Sequence, residues 1–143
     1  MKMLFFRRLS RLSRRPLRDL SYLKDDTASI KKVYDRIEKL MKEKKPYLNC
    51  DFSISMLSAA IFCSQSVVSR AINRMSGKNF CNYVNSYRVD YAAELMKRDK
   101  RRKISEVAKM AGFNSLPPFN ASFKLQMKMC PSQYLSLLEQ GRL

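Results

Sequence analysis

Residues 53–77 read SISMLSAAIFCSQSVVSRAINRMSG, residues 103–128 read KISEVAKMAGFNSLPPFNASFKLQMK, and the second stretch repeats the pattern of the first. Ile54, Leu57, Ile61, Ser64, Val68 and Ile72, with Tyr83 further on, recur as Ile104, Val107, Ala111, Ser115, Phe119 and Phe123, with Tyr134. The first three pairs are 50 residues apart and the rest 51, the extra residue being absorbed at Asn114. Each copy holds a short apolar helix, a tight turn, a capping serine and a second amphipathic helix, the layout of a helix-turn-helix.

In the first copy, about residues 53–76, Asp51 or Ser53 can cap a helix that keeps Ile54, Leu57 and Ile61 on one face. Ser64 caps the next helix, where Val67, Val68, Ala71, Ile72 and Met75 point inward. Gln65, Ser66, Ser69, Arg70 and Asn73 are left as one continuous outward face. A merely solvated face usually carries long Glu and Lys chains; this one is short, polar and free of acid, as an approach to phosphates requires.

Gly77 can take the left-handed cap conformation that ends the helix. A longer helix, about 79–98, then carries Phe80, Tyr83, Val84, Tyr87, Tyr91, Leu95 and Met96; helical spacing makes this aromatic stripe core and not a base-stacking platform. After the charged connector 99–103, the second copy, about 103–127, turns at Gly112, restarts after Ser115 and presents Ser115, Leu116, Asn120 and Lys124 outward. A last helix, about 132–139, holds Tyr134, Leu135 and Leu138. Upstream, Ile30, Val33, Tyr34, Ile37, Leu40 and Met41 mark a packing helix that Lys44, Lys45 and Pro46 end. The expectation is an all-α domain over 25–143: two helix-turn-helix units joined by a long linker helix, about seven helices in all, preceded by a basic arm over 1–24.

That arm interleaves Arg7, Arg8, Arg11, Arg14, Arg15 and Arg18 with Leu9, Leu12, Leu17 and Leu20. It reads as a disordered basic tail before it reads as an amphipathic helix on a membrane or along phosphates. The charge is not confined to it. Of a net +17, residues 1–46 carry 15 basic and 6 acidic side chains and residues 47–143 carry 14 and 6. A field of that sign attracts polyanions, nucleic acid or an anionic membrane surface.

Other classes are excluded by what the composition lacks. Cys50, Cys63, Cys81 and Cys130 are far apart and there is no histidine, which argues against a zinc module and excludes a Ser-His or Cys-His nucleophile. The cysteines read as small buried or half-buried apolar residues in a reducing cytosol. Three glycines cannot build a phosphate-cradling loop, and no cofactor is implied. No stretch reaches the roughly 18–20 apolar residues that span a bilayer, and Met1 to Phe6 is too short for a secretory signal, so a cytoplasmic protein that is not an enzyme is expected.

From about Tyr47 to Tyr134 the chain resembles the DNA-binding domain of AraC/XylS-type transcription regulators. The residues that carry the resemblance are Ser64 with Ser69 and Arg70; Gly77 with Phe80 and Tyr83; Arg88 with Ala92 and Leu95; and Ile104 with Glu106, Val107 and Ala108. The second unit adds Gly112 to Ser115, Phe119 with Asn120, Phe123 with Lys124, and Pro131 with Tyr134. The resemblance implies seven helices, sequence-specific control of transcription, double-stranded DNA as partner, and base or phosphate contacts from Gln65, Ser66, Ser69 and Arg70. The expectation is a stand-alone regulator controlled by its abundance, the effector end of something larger, or an arm that docks a partner such as RNA polymerase. Members usually carry a sensing or dimerising domain, and 46 residues ahead of the repeat offer no small-molecule pocket.

Two reading helices on one chain can address successive major grooves about 34 Å apart, and a linker helix of about twenty residues spans about 30 Å. A monomer on an asymmetric site is therefore expected. The copies are unequal. Ala121 stands where the family often has arginine, and Pro117 and Pro118 remove amide donors. The second unit is thus expected to read weakly, through a thymine methyl, Asn120 and backbone contacts, while the first supplies most specificity. Phe62 holds the turn position that is Gly112 in the second copy, and Lys128 stands where the family often has glycine. The competing class is a basic helical protein that binds nucleic acid without sequence preference.

Overall fold

The computed structural model describes residues 27–143. These form seven α-helices and one 3₁₀ turn, with no strand among the described residues. The basic arm over 1–24, with its readings as a disordered tail or a membrane or phosphate contact, lies outside them. The chain divides into two compact units between Phe80 and Cys81.

In the first unit, α1 (Thr27–Lys44) buries Ile30, Val33, Ile37 and Met41, one stripe along its length. Its flank is tied by the ion pairs Lys31–Asp35 at 2.9 Å, exposed, and Lys42–Glu38 at 2.7 Å, with Glu38 half-buried, each one helical turn apart. Lys45, next to Pro46, takes a left-handed conformation and ends the helix, and Pro46–Leu48 forms the 3₁₀ turn. Then come α2 (Ile54–Ile61) and α3 (Gln65–Ser76), with a 99° bend between them. Leu57 and Ile61 of α2 and Val68, Ala71 and Ile72 of α3 are buried, and α1 packs against both helices.

In the second unit, α4 (Phe80–Arg98) supplies Val89, Ala92, Ala93 and Met96 to a core shared with α5 (Ile104–Met110), α6 (Leu116–Met127) and α7 (Pro131–Glu139). Edge-on and tilted rings run through it from Phe113 to Phe119 at 5.2 Å, on to Phe123 at 5.5 Å and to Tyr134 at 5.3 Å. Such pairs add about 0.5–1.5 kcal/mol each beyond their buried area. They tie the turn, α6 and α7 together where the first unit has the aliphatic Val68 and Ile72.

Two expectations about burial are corrected. Met75 does not point inward but is 39% exposed: the buried stripe of α3 ends at Ile72, and the last turn runs past the packed face. Of the cysteines, Cys63 is buried and Cys130 half-buried, but Cys50 and Cys81 are exposed. Cys50 lies in the turn before α2, beside an Asn49 side chain that accepts the Asp51 N–H at 2.9 Å, and Cys81 in the first turn of α4. All four are free thiols, and no cluster of metal-ligating side chains occurs among the described residues.

Candidate nucleic-acid interface

The two turns are built alike. In the first, Cys63 N–H donates to Ser58 O at 3.0 Å and Phe62 N–H to Ala59 O at 3.4 Å. In the second, Phe113 N–H donates to Ala108 O at 3.0 Å and Gly112 N–H to Lys109 O at 3.1 Å, the same Schellman pair shifted by 50 residues. Both need a left-handed residue, which is Gly112 at φ 95° but Phe62 at φ 57°. A side chain there costs about 1–2 kcal/mol. Arg36 of α1 holds this strained turn: its guanidinium donates to the Ile61 carbonyl and lies 3.9 Å from the Cys63 sulfur. Burial pushes the Cys63 thiol up, and the Arg36 cation opposes the shift.

Beyond the first turn, Ser64 is the N-cap of α3, its Oγ accepting the Val67 N–H at 3.3 Å. Gly77 closes the other end at φ 70°. Between them Gln65, Ser66, Ser69, Arg70 and Asn73 are all exposed, while Val68, Ala71 and Ile72 on the opposite side are buried. Ser66, Ser69, Arg70 and Asn73 line one shallow depression together with Arg74. Arg74 was not among the residues expected here. Its signal was one helical turn beyond Arg70, on the same face.

Ser115 is the N-cap of α6 but makes no capping bond, a correction to the expected matched pair of caps. A capping hydroxyl accepts from the second or third helical N–H. In α6 those residues are Pro117 and Pro118, which have none. Ser115, Leu116, Asn120 and Lys124 are all exposed. Leu116, Asn120 and Lys124 share a depression with Ile104, Ala121 and the start of α7 at Cys130, Pro131 and Ser132, none of which the sequence singled out as contacts. There Gln133 Oε1 accepts the Cys130 N–H at 3.1 Å, and the Ser132 hydroxyl, 3.2 Å from the sulfur, lowers the Cys130 thiol. On the α4 side, Gln126 donates to Asp90 at 2.5 Å, and Arg88 stacks over the Phe113 ring at 5.6 Å. These contacts orient α6 and its turn, not its outward face.

The fold and the two exposed helix faces define a protein with a duplicated helix-turn-helix. A family model described as a helix-turn-helix domain matches residues 57–136. The chain belongs to the AraC-type helix-turn-helix family, a family of DNA-binding transcription regulators.

It is 39% identical over 62 residues to the TCP pilus virulence regulatory protein of Vibrio cholerae serotype O1, a match covering 43% of this chain and 22% of that protein. It is 28% identical over 88 residues to the probable transcriptional regulator LumQ of Photobacterium leiognathi, covering 62% and 35%. To the transcriptional regulatory protein HptR of Staphylococcus aureus it is 27% identical over 119 residues, covering 83% and 42%. The chain thus spans less than half the length of each of these relatives.

Among solved structures, it is similar to the C-terminal domain of the two-component response regulator yesN of Fusobacterium nucleatum, with a TM-score of 0.61, 24% identity, and 73% and 98% of the two chains covered. The C-terminal domain of the response regulator AraT of Geobacillus stearothermophilus gives 0.60, 23%, and 75% and 83%. These likenesses show the fold.

Proposed function

We propose that the protein is a transcription regulator that binds double-stranded DNA at specific sites, with α3 and α6 as the reading helices in successive major grooves. The observation that carries this reading is the face of α3: six exposed side chains from Gln65 to Arg74, short or cationic and with no acid, over a fully buried stripe. In that reading Arg70 is the principal base reader, its fork matching guanine O6 and N7, and Gln65, Ser66, Ser69 and Asn73 bond neighbouring edges and phosphates. Ser115, Leu116, Asn120 and Lys124 face the second groove. The 19 residues of α4 give a helix of about 29 Å, close to one turn of duplex. No single described helix is long and apolar enough to cross a membrane. A protein acting on DNA works where the DNA is, which for this reading is the cytoplasm, with RNA polymerase as a further partner.

Competition binding tests the proposal. The full chain should prefer a selected duplex over random DNA by about 10³-fold or more at physiological salt. Equal affinity for both would mean binding by charge alone.

A further inference from the structure

The shift of 51 residues maps each position of the α3 face onto α6. Gln65, Ser66, Ser69, Arg70, Asn73 and Arg74 become Leu116, Pro117, Asn120, Ala121, Lys124 and Leu125. Four of the six change from polar to apolar. The two leucines are not taken into the core: Leu116 is 40% exposed and Leu125 64%. An apolar side chain held in water on a reading face contributes nothing to folding, but it can shed that water against an apolar group of a partner. Leu116, Ala121, Ile104 and Pro131 line a depression whose polar members include Asn120 and Lys124, and no acidic side chain among the described residues lines it. In the major groove, the apolar group a base pair presents is the C5 methyl of thymine, beside the N6 and N7 of its adenine partner.

We propose that the second unit recognises an A·T step, the thymine methyl seated against Leu116 and Ala121 and an adenine bonded in bidentate fashion by Asn120. Lys124 supplies the charge that brings the phosphates to this face. Absence of a long side chain at Ala121, where the first unit has Arg70, leaves the space the methyl occupies. This inference rests on the proposed DNA reading and deepens it: the first half-site is read by a cationic fork, the second by a methyl contact and an amide.

The test uses the full chain and a duplex carrying its selected site. Each thymine of the second half-site is replaced in turn by uracil, which differs only by the methyl. At one or two positions affinity should fall about fourfold, the effect of losing one buried methyl. In Leu116→Ala, an exposed position whose loss leaves the core intact, the same replacement should cost nothing, while a thermal melt shows the fold retained. 7-Deazaadenine in place of the paired adenine should cost a further several-fold in the wild type and nothing in Asn120→Ala. If uracil is tolerated at every position while the first half-site keeps its preference, this inference fails and the proposed function stands. If neither half-site shows any preference, both fail.

Discussion

Arg70 is where a single side chain carries most of the proposed specificity. Replacing it by alanine should relax the base preference at one position of the first half-site, by about 1–3 kcal/mol of discrimination, and leave the other positions as they were. Sequence selection on the variant reads this directly; an unchanged preferred sequence would remove Arg70 from the role. Lys128 is not among the proposed contacts. It ends α6 at φ 61° with its side chain exposed, a conformation that glycine adopts without strain. Lys128→Gly should therefore stabilise the chain by about 0.5–1 kcal/mol, seen as a rise of a few degrees in Tm. Phe62, at the same kind of position, is held by Arg36 from a different helix. Contacts of that kind join residues far apart in sequence, so no local pattern announces them. Arg74 is the opposite case: its place on the α3 face follows from helical spacing alone, and Met75 was misplaced because spacing does not say where a packing partner ends.

The caps show how two helices with the same layout differ in what holds them. Ser64 accepts a backbone N–H, and Ser64→Ala should destabilise the protein by about 1 kcal/mol. Ser115→Ala should change stability by only a few tenths, because Pro117 and Pro118 offer its hydroxyl nothing to accept. Replacing Pro118 by alanine restores the third helical N–H, and in that background Ser115→Ala should cost about as much as Ser64→Ala. Denaturant melts of the wild type and these four variants check the coupling; equal losses at Ser64 and Ser115 in the wild-type background would contradict it. Element types and order were legible in the sequence because caps, left-handed glycines and apolar periodicity are local signals. The failed cap was legible in principle too, since prolines two and three residues after a serine deny it both donors. What was not local is the depression that α7 shares with α6. It depends on how the chain returns after Lys128, and Cys130, Pro131 and Ser132 carry no periodic or chemical signal of contact.

Across the whole molecule, charge and shape divide the labour. A net charge of +17 attracts nucleic acid of any sequence, and in the proposed reading the faces of α3 and α6 decide where the protein stays. Lys124→Ala should accordingly weaken binding to all duplexes alike and flatten the dependence of affinity on salt by about one unit of slope, measured by titration across a range of salt concentrations. The duplicated pattern is an unequal pair, with an arginine-bearing polar face on α3 and an arginine-free, proline-blunted, leucine-bearing face on α6. Selection of binding sites from random duplexes by the full chain shows whether the two faces read unequally. The expected outcome is a sharp, guanine-containing preference in one half-site and a softer, A·T-rich preference in the other, with Arg70→Ala blurring only the sharp one. Two half-sites of equal sharpness, or a sharper one that survives Arg70→Ala, would contradict it.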